Sequence, residues 1–158
     1  MTLSSPFKDV TDSNGVILKG GDGRTVTVKA NGSDLFLGAG VSYQNETNEE
    51  DVDLAAAGEA VDGVIVGEAF PYKVDLDKDS DDCYDDNSYL QMYVPEPGDI
   101  LYGTVATATS LSKDAYVKFS GGFLTSSTRS NAIGRNRGGA ITGASGTEQV
   151  IPYEWGVQ

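Results

Sequence analysis

Gly58-Glu-Ala-Val-Asp-Gly-Val-Ile-Val-Gly67 and Gly98-Asp-Ile-Leu-Tyr-Gly-Thr-Val-Ala106 are the two stretches that decide the fold. Each is a short apolar run rich in β-branched residues, entered through a Gly-Asp or Asp-Gly step, with no helical pattern between the two. Such runs read as strands, and their spacing predicts an all-β fold, a small barrel or sandwich. Gly63-Val-Ile-Val-Gly67 is apolar at successive positions, which predicts a strand covered on both faces.

Working outward, Thr25-Val-Thr-Val-Lys29 alternates, Asn31-Gly32 suits a tight turn, and Leu35-Phe-Leu37 follows. Residues 44–53 read as an acidic surface loop, and Leu54–Ala57 as one helical turn ended by Gly58. Phe70, Tyr72 and Val74 alternate, with Pro71 placing an edge or bend there. Tyr89–Val94, Ile100–Thr107 and Ala115–Phe119 read as strands, the last with Val117 and Phe119 on one face. Residues 120–147 are dominated by Ser, Thr, Gly, Ala and Asn, and 148–155 close the chain with a strand. This organisation predicts an N-terminal arm over 1–15 and a single β domain over 16–158, with a long acidic loop at 75–86.

The chain has 158 residues, enough for one real core. Eleven basic against 24 acidic side chains give a net charge of −13, which argues against nucleic acid and anionic membranes as partners. The charge is uneven: residues 1–112 hold 6 basic and 21 acidic side chains, residues 113–158 hold 5 and 3. The N-terminus lacks the cationic-then-apolar pattern of a classical signal peptide.

Histidine is absent, which removes the commonest general base and metal ligand. Cys83 stands alone among Asp81, Asp82, Asp85 and Asp86, whose charges disfavour a thiolate. The chain is therefore expected not to be an enzyme and to need no cofactor. A cleft in which two carboxyl groups face each other, one hard to ionise, would count against that expectation.

Asp75, Asp77, Asp79, Asp81 and Asp86 alternate in the manner of a calcium loop, with Asp86 twelfth from Asp75. Ser80 stands where such a loop has glycine, Asp86 is shorter than the usual Glu, and no flanking helices are predicted. The plainer reading is a solvated charged loop. Arg129, Arg135 and Arg137 lie in a glycine-rich stretch without aromatic interleaving, a weak nucleic-acid signal and a better candidate for contact with an acidic protein surface or a neighbouring subunit.

Ala55–Ala57 with Gly58–Ala69 and Gly98-Asp-Ile-Leu101, and more weakly Asn131–Arg135 with Gly138–Ile141, resemble the decoration (cement) proteins of tailed phages and related archaeal viruses. The resemblance implies a compact β-barrel, trimeric on the outer surface of an icosahedral head, that binds the major capsid protein and stabilises the virion. It also implies an arm that grips the shell, with Pro6, Phe7 and Val10 as its apolar anchors. The acidic loop 75–86 departs from the family pattern. The rival reading is a calcium-dependent extracellular adhesion or carbohydrate-binding module using that loop and exposed aromatics such as Tyr84, Tyr89 and Tyr93.

Overall fold

The computed structural model describes residues 15–44, 50–79, 81–144 and 149–156. The arm, with Pro6, Phe7 and Val10, lies outside the described residues apart from Gly15. Among the described residues twelve strands form two sheets, and the fold is all-β as the sequence predicts. A single 3-10 turn at Arg129–Asn131 is the only helical element among the described residues.

The first sheet is built from β2 (Arg24–Ala30), β3 (Gly40–Tyr43), β4 (Asp51–Leu54), β5 (Gly63–Ala69) and β7 (Tyr89–Val94). Its pairings run β3–β4–β2–β7–β5 and then β5 back to β3, so the sheet closes into a five-stranded ring. The short β6 (Tyr72–Lys73) extends the far end of β5 as a hairpin through Phe70-Pro71. The second sheet uses β8 (Ile100–Val105), β9 (Tyr116–Ser120), β10 (Phe123–Ser126), β11 (Gly134–Asn136) and β12 (Gln149–Trp155). It closes through β8–β10–β9–β11–β12 and back to β8, with β1 (Ile17–Lys19) flanking β8.

The two rings share one topology. In each, the first strand pairs parallel with the third and antiparallel with the last. The second pairs antiparallel with the third and fourth, and the fourth with the last. The chain is thus a structural duplication, with β1 crossing back to join the second ring. Closure removes the open sheet edges that would otherwise invite pairing with another chain.

Ring interiors follow the period-two rule. Val28, Val41, Val52, Ile65, Leu90 and Met92 fill the first ring, capped by Leu35, Phe36 and Tyr84 from loops. Val64, Val66 and Tyr93, on the opposite faces of β5 and β7, join Leu101, Val117, Phe119, Leu124 and Tyr153 in the second cluster. The unbroken Val64-Ile65-Val66 run is explained: β5 lines its own ring with one face and packs on the second ring with the other.

The seam between the rings is tight. Gly40 N donates to Gly122 O (3.3 Å) and Gly122 N to Ala55 O (3.2 Å). Phe36 of the first ring stacks on Phe123 of the second, with ring centroids 4.8 Å apart.

Two local expectations are corrected. Leu54–Ala57 is no helical turn, because Leu54 ends β4 and Ala55 is buried at the seam, accepting from Gly122. The acidic segment 44–53 contains the start of β4, where Val52 is fully buried in the ring while Asp51 and Asp53 are half-buried. The low-complexity stretch 120–147 hides β10 and β11, whose small residues suit a crowded five-stranded ring.

Candidate functional site

Of the three predicted arginines, two are used inside the chain. Arg135 Nε donates to Asp114 O (3.1 Å), and its guanidinium lies 5.0 Å from the centre of the Tyr116 ring. Arg137 pairs with Asp114 (2.7 Å) and Glu154 (3.3 Å), bracing β11 against β12. Between them Asn136 is fully buried; its Nδ2 donates to Ser112 O and Gly139 O, and its Oδ1 accepts from Gly138 N. Arg129 stands exposed on the 3-10 turn. The glycine-rich 129–138 stretch is therefore built first as a structural corner; Arg129 and Arg137 are both exposed, but Arg137 is held by its two carboxylate partners.

The acidic loop spends its carboxylates on its own backbone. Asp75 Oδ1 accepts from Asp77 N (3.0 Å), and Asp79 Oδ1 from Asp81 N (2.9 Å) and Asp82 N (3.1 Å). Asp86 Oδ1 instead accepts from Gly32 N (2.8 Å), tying the loop to the Asn31–Ser33 turn. Among the described residues no three acidic or cysteine side chains are grouped to hold a metal ion. Asp75, Asp77, Asp79, Asp81 and Asp86 form no such group among the described residues, and Asp75, Asp79 and Asp86 each hold a backbone amide.

One pair of carboxyl groups does meet. Asp34 and Asp53 interact, and Asp34 is pushed up from the ordinary carboxylate range by burial first and then by Asp53. Asp34 is nonetheless exposed and lines neither of the clefts described below. The sign of its pH effect follows. A carboxyl raised in the folded state favours folding below its unfolded value, and that contribution is lost as pH rises through the folded value. Asp34→Asn should thus raise the melting temperature at pH 7 and leave it unchanged near pH 3. Equal shifts at both pH values in thermal melts would rule out the pair as the cause.

Two surface clefts lie among the described residues. The first, about 220 Å³, lies at the seam, lined by Glu59, Lys118, Asn131 and Ile133 among others. Its carboxylate is already engaged, Glu59 Oε1 accepting from Ala56 N (2.7 Å) and Oε2 from Ser42 Oγ (3.3 Å). The second, about 290 Å³, is lined by Glu68, Phe70, Ser88 and Tyr89 at the outer end of β5 and the start of β7. Phe70, Tyr72 and Tyr89 are 74%, 59% and 44% exposed, a cluster of bare aromatics at one end of the first ring. Tyr84 and Tyr93, expected at the surface with Tyr89, are buried. Tyr84 caps the interior of the first ring, and Tyr93 lies under the seam with its hydroxyl on Asp99.

Mapping charge onto the fold sharpens the asymmetry seen in the sequence. Residues 24–94, which span the first ring, hold 4 basic and 16 acidic side chains, net −12. Residues 95–158, which span the second, hold 5 and 5, net zero. Val16 and β1 anchor to the second ring, and Gly15, the first described residue, lies beside Val74.

No family model matches the chain, and no curated protein matches it. Among solved structures it is similar to the N base of the head fiber protein gp8.5 of bacteriophage phi29. The TM-score is 0.55 at 11% identity, over 84% of this chain and 95% of that one. The fold thus resembles that of a phage head fiber base across nearly the whole of both chains.

Proposed function

We propose that this chain is a structural protein of a phage head, one that acts by binding and not by catalysis. The observation that carries the reading is the near end-to-end likeness to the phi29 head fiber base. In its finer form, the protein decorates the outer surface of an icosahedral shell as a trimer, contacts the major capsid protein and reinforces the head. The second ring and the arm face the shell, and the acidic first ring faces outward. Two features support this orientation: the arm's root lies on β1, and the ring beside it carries no net charge, so it meets an acidic partner without long-range repulsion. Weak contacts suffice, because repetition over a lattice multiplies them through effective concentration.

Removing residues 1–14 tests this. The truncated protein should keep its melting temperature, since Gly15 and Val16 remain to pack on the core, yet fail to co-sediment with emptied phage heads. Undiminished co-sedimentation of the truncated form would reject the arm. Charge reversal at exposed Arg129 (Arg129→Glu) should weaken co-sedimentation about threefold to tenfold, chiefly through association rate.

A further inference from the structure

The aromatic cluster on the first ring is unexplained by shell attachment, since it lies on the half assigned to face away. Phe70 sits at the tip of the β5–β6 hairpin, and Tyr89 opens the neighbouring strand β7. Their rings are 5.7 Å apart at 62°, two walls of a corner instead of one flat platform. Glu68 and Ser88 complete the lining, and Tyr72 stands exposed opposite Ala69, next to the turn of the same hairpin. Glu68 takes no hydrogen bond or ion pair from the described residues, so its oxygens are open acceptors beside the rings.

We propose that this corner is a binding site for a neutral saccharide. A pyranose presents an apolar C–H face, which stacks on an aromatic ring, and a rim of hydroxyls, which need acceptors and donors. Phe70 supplies the stacking wall, Tyr89 the second wall, and Glu68 and Ser88 the polar partners. The volume suits a single sugar residue held at a chain end or branch.

Charge and area select this occupant over the others. A second copy docking by the same face would bring two regions of net −12 together within about one Debye length, roughly 8–10 Å. The three rings at their exposures offer on the order of 300–400 Å², well short of the ~800 Å² per partner of a stable protein interface. The same field, with Glu68 in the cleft itself, disfavours uronic and sialic acids and leaves neutral hexoses and N-acetylhexosamines.

The test uses the full chain free in solution, so its outcome is independent of shell binding. Amide shifts in ¹⁵N NMR spectra are followed while glucose, galactose, N-acetylglucosamine and 3′-sialyllactose are each added to about 20 mM. At least one neutral sugar should give saturable shifts centred on residues 68–72 and 88–90, with a Kd on the order of 1 mM. Phe70→Ala and Tyr89→Ala should each weaken binding about tenfold, while Phe70→Trp retains it. Both positions are exposed, so unchanged melting temperatures should confirm that the fold survives. No saturable shift from any neutral sugar, equal affinity for the sialylated one, or shifts untouched by both alanine variants would each overturn the proposal. So would concentration-dependent self-association that Phe70→Ala abolishes, which would assign the cluster to a second copy.

Discussion

Gly40→Val should destabilise the protein by about 3 kcal/mol and lower its melting temperature by roughly 10 °C, the largest single-site effect expected. A β-carbon at position 40 would lie 2.4 Å from Cγ of Phe119 and within 2.7 Å of both Cδ atoms. These are atoms at the root of a ring that is 2% exposed and held edge-to-face against Tyr153, so it has nowhere to retreat. The backbone there also donates to Gly122 O, so the two rings approach through their main chains and the seam cannot widen locally. Calorimetry checks the value. Adding Phe119→Ala should recover part of the loss, because the cavity it leaves admits the new side chain. A double mutant whose loss equals the sum of the singles would show that the contact is not the cause.

Asp99→Ala is the second large effect, at about 3 kcal/mol. Asp99 is buried, and its Oδ2 accepts from both the Tyr93 hydroxyl and Glu96 N (3.0 Å). The Tyr93 hydroxyl in turn accepts from Gly23 N (2.9 Å). One carboxylate thus joins the Gly20–Gly23 turn, the end of β7 and the crossover into the second ring. Its removal leaves the buried Tyr93 hydroxyl with no acceptor for its proton and the Glu96 amide without this bond, while Tyr93→Phe, which deletes the donor, should cost about 1–2 kcal/mol. Burial first, and then the bond to Asp99, push Tyr93 up to about 12 from its ordinary 10.0. The tyrosine therefore favours folding below pH 10, and that contribution is lost as pH rises through 12. Urea melts between pH 9 and 11 should show a shallower alkaline decline in Tyr93→Phe than in the parent. An unchanged decline would remove the Asp99–Tyr93 link from the account.

The seam and the crossover network together explain why two small rings behave as one body. A five-stranded ring of about 60 residues buries too small a share of its surface to be robust alone. Here each lends the other a face: Val64 and Val66 of β5 serve the second ring's core, and Phe123 of β10 packs on Phe36 of the first. The two halves also differ in surface: the second ring carries no net charge, and the acidic first ring carries the bare aromatics Phe70, Tyr72 and Tyr89.

The residues alone determined that this is a β protein, that β5 is covered on both sides, that β7, β8, β9 and β12 are strands, and that Val117 and Phe119 share one face. Local pattern carries that information, because alternation reports which side chains leave water. They also determined the acidity, the lack of histidine and the lone cysteine. Only the tertiary structure decided that two rings repeat one topology, since pairing partners such as Arg24 with Val94 are far apart in sequence and corresponding strands, Val64–Val66 and Arg135–Asn136, share no residue pattern. It likewise decided that Arg135 and Arg137 serve the fold, and that Asp86 leaves its loop for Gly32. Tyr84, Tyr89 and Tyr93 are identical as letters; what separates two buried tyrosines from one at a surface cleft is where the closing of the rings turns each side chain.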